Sequence, residues 1–248
     1  MYSVLSQCYD ALVGADYPAM AEFYKAIWRQ FGQDPQIVLD LGCGTGNLLP
    51  FLEEGRQVIG VDISPEMLAI AREKAGLDTL LLCQDMTELD LFGTVDAAIC
   101  ALDGVNALPD ARAVQQMFSR VNLFLSSGGL FIFDVNTPYK FEHILNQKAF
   151  VYDTDEVFLV WENEYDKRAG ICDFLLTFFF PNPDGSYRRE EECMSERAYT
   201  KEQLCGMVER SGLELLAVYG DGRMQEPACD EEQRIYFVTR KGRHAPNQ

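Results

Sequence analysis

The stretch VLDLGCGTGNL, residues 38–48, decides how the rest of this sequence is interpreted. It joins an apolar, β-rich run to a helix-like segment through a loop with glycine at positions 42, 44 and 46. Glycine in such a loop permits positive φ angles and lets a ligand approach the backbone without a Cβ in the way. The dinucleotide fingerprint G-x-G-x-x-G would need its third glycine at the position of Asn47. The stretch therefore indicates a strand–loop–helix ligand site that differs from a dinucleotide site.

Acidic residues lie in or just after the ends of the first three predicted strands, where a parallel sheet brings its strand ends together. Asp40 precedes the glycine loop, Asp62 ends the run VIGVDIS, and Asp85 lies in CQDMTEL. A carboxylate beside a pyrophosphate is unfavourable, whereas beside an ammonium or a sulfonium it is favourable. An acid at the tip of the second strand is placed to accept hydrogen bonds from both ribose hydroxyls of a nucleoside. The pattern predicts a cationic ligand without phosphates.

The first 140 residues alternate strands with helices. Ser64-Pro65-Glu66 and Pro109-Asp110 are helix-start signals, and Gly76 is a helix-stop signal. Strands that are apolar throughout and separated by single helices indicate a parallel sheet covered on both faces. This is a doubly wound, Rossmann-like α/β fold. The predicted strands of this part are Ile37–Leu41, Val58–Val61, Thr79–Cys83, Val95–Ala101 and Leu130–Val135.

The pattern changes after Pro138. Residues 150–197 contain strand-like runs without a helix between them, and PNPDGS forms a turn cluster between two of these runs. A helix is predicted from Thr200 to Arg210, and two final strands, 213–219 and 234–240, are predicted to pair as an antiparallel edge. The predicted organisation is a seven-stranded α/β core of residues 1–149 and 198–248, with a small antiparallel β insert of residues 150–197.

The composition of the chain limits the classes of partner that the protein can bind. The 248-residue chain carries 39 acidic and 21 basic residues, a formal charge of −18. A field of that sign repels polyphosphate, which argues against nucleic acid or an anionic membrane as the main partner. No apolar run reaches the roughly 18 residues that span a bilayer, and no signal peptide is visible. Eight scattered cysteines lack a CxxC pair or metal-ligand spacing, so we interpret them as buried thiols. We expect a reduced, cytoplasmic protein without a metal.

Taken jointly, these motifs resemble those of the class I S-adenosylmethionine-dependent methyltransferases, over residues 30–142 and 198–241. A closer similarity is to a bacterial group with an antiparallel insert after the fifth strand. That group includes deoxysugar N,N-dimethyltransferases and uncharacterised YqeM-like methyltransferases. The features that carry this similarity are YSVLSQCYDALV (2–13), ALDGVNAL (101–108), DVNTPYKF (134–141) and TFFFPNPDGSYRR (177–189).

The resemblance implies S-adenosylmethionine as cofactor. The glycine loop would hold the methionine part, Asp40 would act on its ammonium group, and Asp62 would bind the ribose. The N-terminal Tyr-Asp helix would fold over the cofactor and bring Tyr9 to the methionyl end, although ordinary helix packing is an equal alternative for this tyrosine. The cofactor-binding candidates are Tyr9, Asp40, Gly42, Cys43, Gly44, Gly46, Asp62, Ile63, Met67, Asp85, Met86 and Leu102.

The methyl acceptor has no clear motif. We hypothesise that Asp103 and Asn106, at the topological switch of the sheet, orient it, with Tyr139 or His143 as candidate proton acceptors. A surface position is the alternative for His143, since a lone histidine is weak evidence for catalysis. The other histidine, His244, lies in the tail. The expected reaction is in-line methyl transfer to nitrogen or oxygen of a small molecule.

Two other functions remain open on the same fold. One is a non-catalytic protein that binds an adenosyl ligand or acts as a regulator. The other is an NAD-dependent oxidoreductase, which the glycine spacing and Asp40 disfavour. The insert also has two interpretations, as a wall of the acceptor pocket or as a surface for homodimerisation. Its run FLLTFFF, residues 174–180, lacks clean alternation, so we expect both of its faces to be covered.

Overall fold

Eleven strands and six α-helices form the part of the chain that this computed structural model describes, residues 3–220, 222–224 and 231–242. The strands are β1 (Ile37–Leu41), β2 (Gln57–Asp62), β3 (Leu80–Cys83), β4 (Val95–Cys100), β5 (Leu125–Asn136), β6 (Ala149–Asp153), β7 (Phe158–Asp166), β8 (Ile171–Pro181), β9 (Tyr187–Arg197), β10 (Leu213–Gly220) and β11 (Arg234–Lys241). The helices are α1 (Tyr9–Leu12), α2 (Tyr17–Gln30), α3 (Leu49–Leu52), α4 (Pro65–Lys74), α5 (Ala111–Phe124) and α6 (Lys201–Arg210). A π-helical turn spans Lys140–Leu145. Cys229 and His244 lie outside the described residues.

Seven strands form the central sheet, in the order β10-β11-β5-β4-β1-β2-β3. The first five strands in the sequence pair in parallel, and β11 pairs antiparallel with both β5 and β10. The order reverses between β1 and β4, and ligands of doubly wound sheets bind at the carboxyl ends of strands beside such a reversal. The predicted fold and the antiparallel edge are confirmed.

The helices α4, α5 and α6 begin at the predicted polar residues. The hydroxyl of Ser64 accepts a hydrogen bond at 3.2 Å from a backbone N–H three residues on, and the carboxylate of Asp110 accepts one at 2.8 Å. Thr200 and Gln203 form a capping box at the start of α6. Such caps satisfy backbone donors that would otherwise lack partners in the first turn. They fix where each helix begins and hence which helix face covers the sheet.

Two apolar clusters bury the two faces of the sheet, as a doubly wound fold requires. One cluster joins α5 and α6 to the stacked rings of Phe133 and Phe237, whose centroids are 4.8 Å apart. The other joins α2, including Tyr24 and Trp28, to residues of β1, β4 and β5. The core therefore lies on both sides of the sheet, and the strand ends are left to form a site.

The insert is a four-stranded antiparallel meander, β6-β7-β8-β9. It begins one residue before the predicted boundary, because β6 starts at Ala149. The inner face of β8 is buried, whereas Leu175 on its other face is 36% exposed. The expectation that both faces are covered is therefore wrong for this part of the run. That the insert mediates a homodimer stays a prediction.

The cysteines of the described chain are all free, and none belongs to a cluster of residues that could hold a metal ion. Four of them are buried, but Cys83 and Cys193 are exposed. The interpretation as buried thiols is wrong for those two, because Cys83 ends the edge strand β3 and Cys193 lies on the edge strand β9. No helix in the described ranges is long and apolar enough to cross a membrane.

Candidate functional site

A cavity of about 560 Å³ opens at the carboxyl ends of β1, β2 and β4. Its size falls within the range of about 300–1,000 Å³ that is typical of small-molecule sites. Its walls come from the glycine loop, the segments at the ends of β2, β3, β4 and β5, the start of β11, the N-terminal segment and the inner face of the insert. Residues from the insert that line it are Tyr152, Leu159, Trp161, Phe174, Leu176, Met194 and Glu196. The core and the insert thus share one cavity.

The glycine loop is held against β2 by its backbone. The N–H groups of Gly42 and Cys43 both donate to the carbonyl oxygen of Val61, at 2.7 and 3.0 Å. Gly46 has φ = +77°, and a Cβ there would lie 2.8 Å from the Cβ of Ala71 on α4. Glycine is required at this position for close packing of loop and helix. Gly46 is not among the residues that line the cavity, so its predicted contact with a ligand does not fit the structure.

Two buried acids line the cavity beside this loop. Asp40 is 2% exposed, and burial together with the charge of Asp62 raises its pKa to about 7. No hydrogen bond from the described part of the chain reaches the Asp40 carboxylate. Asp62 accepts from the N–H of Gly44 at 2.9 Å and from that of Ser64 at 2.8 Å. Burial still raises the pKa of Asp62. No basic side chain among the described residues pairs with Asp40 or Asp62, and a cationic ligand would supply a positive charge there.

The third strand contributes a polar group and an apolar one. One carboxylate oxygen of Asp85 accepts from both the N–H and the hydroxyl of Thr87, each at 2.8 Å. The terminal methyl of Met86 lies 3.5 Å from where a Cβ of Gly42 would stand and 3.9 Å from that of Gly104. Met86 therefore bridges the glycine loop and the loop after β4.

The loop after β4 is strained. Leu102 and Asp103 are consecutive residues with φ of +52° and +65°, in the left-handed region that L-residues rarely adopt. Their N–H groups both donate to the carboxylate of Asp134, at 2.9 and 3.2 Å. Arg234 binds Asp134 through one guanidinium nitrogen and Asp103 through the other, the latter at 2.7 Å. These contacts hold the strained turn, and they aim the Asp103 side chain at the cavity.

Polar groups also meet where the insert joins the core. The side-chain oxygen of Asn136 accepts from Lys140 Nζ at 2.8 Å, and its amide nitrogen donates to Glu196 Oε2 at 3.0 Å. Burial and the nearby Arg234 lower the pKa of Lys140. Burial and the charge of Asp103 raise the pKa of Glu196 well above its usual range. Lys140, Glu196 and Arg234 all line the cavity, and sequence reasoning missed all three.

The N-terminal segment is fastened over the cavity by Asp10. Its carboxylate accepts from Thr45 Oγ1 at 2.6 Å and from Asn47 Nδ2 at 2.7 Å, and it also pairs with Lys74. Although burial acts in the opposite direction, these contacts lower the pKa of Asp10. Tyr9, the neighbouring residue, lines the cavity, and its contact with the cofactor stays a prediction.

Comparison with known proteins shows similarity to methyltransferases. A family model described as "Methyltransferase domain" matches residues 38–129. A provisionally named methyltransferase of Geobacillus sp. (strain WCH70) is 33% identical over 246 residues, which cover 97% of this chain and 99% of that protein. YqeM of Bacillus subtilis (strain 168), also named provisionally as a methyltransferase, is 29% identical over 98% of both chains.

Solved methyltransferase structures match this chain over nearly its whole length. An S-adenosylmethionine-dependent methyltransferase from Clostridium acetobutylicum ATCC 824 superposes with a TM-score of 0.87 at 31% identity, over 97% of this chain and 99% of that one. The chain belongs to the class I S-adenosylmethionine-dependent methyltransferases. The methyltransferase also shares its fold with CalS10 from Micromonospora echinaspora, an amino pentose methyltransferase, with a TM-score of 0.76 at 21% identity, over 97% and 98% of the two chains.

The cofactor of the methyltransferase, S-adenosylmethionine, fits the acidic end of the cavity. Asp40 is a buried carboxylate with no cationic partner in the part of the chain that the structure describes, and the methionyl part of the cofactor carries an ammonium group that would supply one. Among the predicted cofactor residues, only Gly46 is absent from the cavity wall, and the remainder of the set lines it. The structure therefore brings together residues that were selected from five separate segments of the sequence.

The two residues that were predicted to orient the acceptor lie in different surroundings in the methyltransferase. Asp103 lines the cavity, but Asn106 is fully buried, and its side chain bonds only backbone groups of Asn136 and Arg197, at 2.8–3.2 Å. The predicted contact of Asn106 with the acceptor is therefore wrong, because its polar atoms are already occupied in holding the insert to β5.

The two candidate proton acceptors also lie elsewhere in the methyltransferase. Tyr139 and His143 pack against each other with ring centroids 4.9 Å apart, and neither belongs to the cavity wall. The side chain of His143 is 56% exposed, in agreement with the surface interpretation. Both predictions are wrong because the π-helical turn after β5 directs Lys140, and not these two rings, into the cavity.

Proposed function

We propose that this methyltransferase transfers the methyl group of S-adenosylmethionine to a nitrogen or oxygen atom of a small molecule. The observation that carries this proposal is the continuity of one cavity, from the acids at the ends of β1 and β2 to the apolar inner face of the insert. A cofactor and a second small molecule would meet in it, shielded from water. CalS10, whose fold is similar, is an amino pentose methyltransferase, and this also supports a small-molecule acceptor.

The acidic end would hold the cofactor. Asp40 would pair with its ammonium group, while Asp62 has lone pairs left after its two backbone contacts and would accept hydrogen bonds from the ribose hydroxyls. Asp85 and Met86 would contact the adenine, with Ile63 and Met67 along its other edge. The bound cofactor supplies an electrophilic methyl group on a positively charged sulfur.

The chain's own contribution would be to bind, to orient and to exclude water. In-line transfer needs the acceptor atom close to the methyl group, with few competing arrangements. The fastened N-terminal segment closes one side of the cavity, and the insert closes another, with aromatic side chains from Tyr152, Trp161 and Phe174. The insert would therefore act as the wall of the acceptor pocket.

Two measurements test this function. In a thermal-shift panel, S-adenosylmethionine and S-adenosylhomocysteine should raise the melting temperature, and NAD and ATP should not, because a ligand stabilises the state that binds it. Incubation with methyl-labelled cofactor and fractions of a metabolite extract should place the label in a small molecule. Label found only in protein or nucleic acid would contradict the proposed acceptor class.

A further inference from the structure

Two carboxyl groups meet at the acceptor side of the cavity. Glu196, near the end of β9, and Asp103, in the strained turn after β4, both line the cavity and share a hydrogen bond. Two carboxyl groups in such contact cannot both be ionised without a large cost, so they hold one proton between them. This proton site is formed by the core and the insert together.

The surrounding charges decide which carboxyl holds the proton. Arg234 contacts Asp103 at 2.7 Å and also binds Asp134. Although burial acts in the opposite direction, Arg234 and Lys140 keep the pKa of Asp103 below its usual range. Glu196 takes part in no ion pair within the described chain, and its nearest polar partner besides Asp103 is the neutral amide of Asn136. Glu196 therefore holds the proton, and its ionised form is the stronger base of the two.

Asn136, Lys140 and Arg234 also line the cavity beside the carboxyl pair, and the rest of the acceptor side is mainly apolar. Trp161, Phe174, Leu176 and Met194 line it from the insert. The other acids on the cavity wall, at the ends of β1, β2 and β3, belong to the proposed cofactor end. A molecule that binds between this wall and the carboxyl pair needs an apolar or ring-shaped body and one polar group that carries protons.

On the basis of the proposed function, we propose that Glu196 is the proton acceptor of the reaction and that the methyl acceptor is an amine on an apolar or ring-shaped body. An amine arrives as an ammonium ion at neutral pH. Beside this cation the carboxyl of Glu196 loses its proton to water, because an adjacent positive charge favours the ionised carboxylate. One N–H bond of the ammonium ion then breaks and its proton moves to that carboxylate, which leaves a neutral amine with a free electron pair. That pair forms the N–CH3 bond as the S–CH3 bond breaks, and the electrons of the broken bond stay on sulfur.

An amine suits this pair of carboxyls better than a hydroxyl does. The positive charge leaves sulfur and appears on nitrogen during the transfer, and Asp103 would stabilise it there as an anion within the same cavity. A hydroxyl is a far weaker acid than an ammonium ion, so a carboxylate is a poor base for it. Charge movement toward Asp103 and Glu196 thus favours nitrogen.

The test uses the complex with S-adenosylhomocysteine, in which no transfer takes place, and protein labelled with carbon-13 at the glutamate carboxyl groups. Carboxyl resonances are followed against pH by NMR, with cyclohexylammonium chloride as the probe and cyclohexanol as its uncharged counterpart. Glu196→Gln identifies the resonance of Glu196, because that resonance disappears. Glu164→Gln, which changes an exposed acid on β7 of the same insert, is the matched control.

We expect cyclohexylammonium to lower the midpoint of the Glu196 resonance by about 1–3 pH units, as an adjacent cation does, and cyclohexanol to leave it unchanged. Glu196→Gln should weaken binding of cyclohexylammonium by about 10–100-fold, the loss expected for a hydrogen bond to a charged group. No movement of the resonance, an equal movement with cyclohexanol, or equal binding by Glu196→Gln would overturn the inference but leave the proposed function intact. Failure of the wild-type protein to bind S-adenosylhomocysteine would overturn both.

Discussion

Binding of S-adenosylhomocysteine should release a proton from Asp40. In the free protein, burial and Asp62 raise the pKa of Asp40 to about 7. The ammonium group of the ligand favours the ionised carboxylate, so binding drives off whatever proton is present. From the pKa of about 7, the protonated fraction is about 0.9 at pH 6, about 0.5 at pH 7 and about 0.1 at pH 8. Proton release should fall in the same proportion.

Isothermal titration calorimetry measures this number directly. The apparent binding enthalpy is recorded at each pH in buffers of different ionisation enthalpy, and its slope gives the protons released. The same fractions make the affinity about tenfold higher at pH 8 than at pH 6. Asp40→Asn has no proton to release and should lose this pH dependence. Asp78→Asn, an exposed acid, is the control and should keep it. Equal proton release at pH 6 and pH 8, or the same release by Asp40→Asn, would refute the reasoning.

The raised pKa of Asp40 also makes the free energy of unfolding depend on pH. Because the pKa of Asp40 is raised from 3.8 to about 7 in the folded state, its favourable contribution is full below pH 4 and is lost as the pH rises through 7. At pH 8 this loss is at most about 4 kcal/mol. Asp40→Asn should therefore raise the free energy of unfolding of the ligand-free protein at pH 8 more than at pH 5, as measured by urea denaturation at both values.

Three further changes have definite outcomes. Asp62→Ala should weaken binding of S-adenosylhomocysteine by about 10–100-fold; a change below about threefold in calorimetry contradicts the proposed ribose contact. Asp10→Ala removes the fastening of the N-terminal segment and, since that contact is partly exposed, should cost about 1 kcal/mol. Faster hydrogen exchange over residues 9–13 and faster ligand release in stopped flow would show it, and unchanged rates would count against the fastening. Asn106→Ala leaves buried backbone groups without partners and should lower the free energy of unfolding by at least about 2 kcal/mol. Urea denaturation measures this change, and a decrease of less than about 0.5 kcal/mol would contradict the prediction.

The acidic end of the cavity, where we propose that the cofactor binds, could be predicted because the information that specifies it is local in the sequence. Asp40 and the glycine loop are neighbours in sequence, and Asp62 and Asp85 each follow a strand whose apolar run is easily recognised. Once the strands are taken as parallel, their carboxyl ends must lie together. The one exception, Gly46, shows the limit of this reasoning, since a glycine can serve helix packing as well as a ligand.

The acceptor end could not be predicted in this way. The bond between Arg234 and Asp103 joins residues 131 positions apart, and Asn106 bonds the carbonyl of Arg197 across 91 positions. Nothing in the sequence around Glu196 distinguishes it from the other acids of the insert, because the run EEECMSER, residues 190–197, contains four glutamates and no functional motif. His143 and Tyr139 were candidates because of their residue types alone, and the backbone of the π-helical turn after β5 places both side chains away from the cavity.

The sequence by itself determined the doubly wound sheet, the glycine loop and the acids at the strand ends that line the cavity, because apolar periodicity and residue spacing dictate secondary structure and the positions of strand ends. Only the tertiary structure decided how the insert folds back on the core, which of its faces is buried, and which of its acids meets Asp103. The physical reason is that burial and long-range contacts set the charge of Glu196 and Asp40, and neither is a property of the residues near them in the chain.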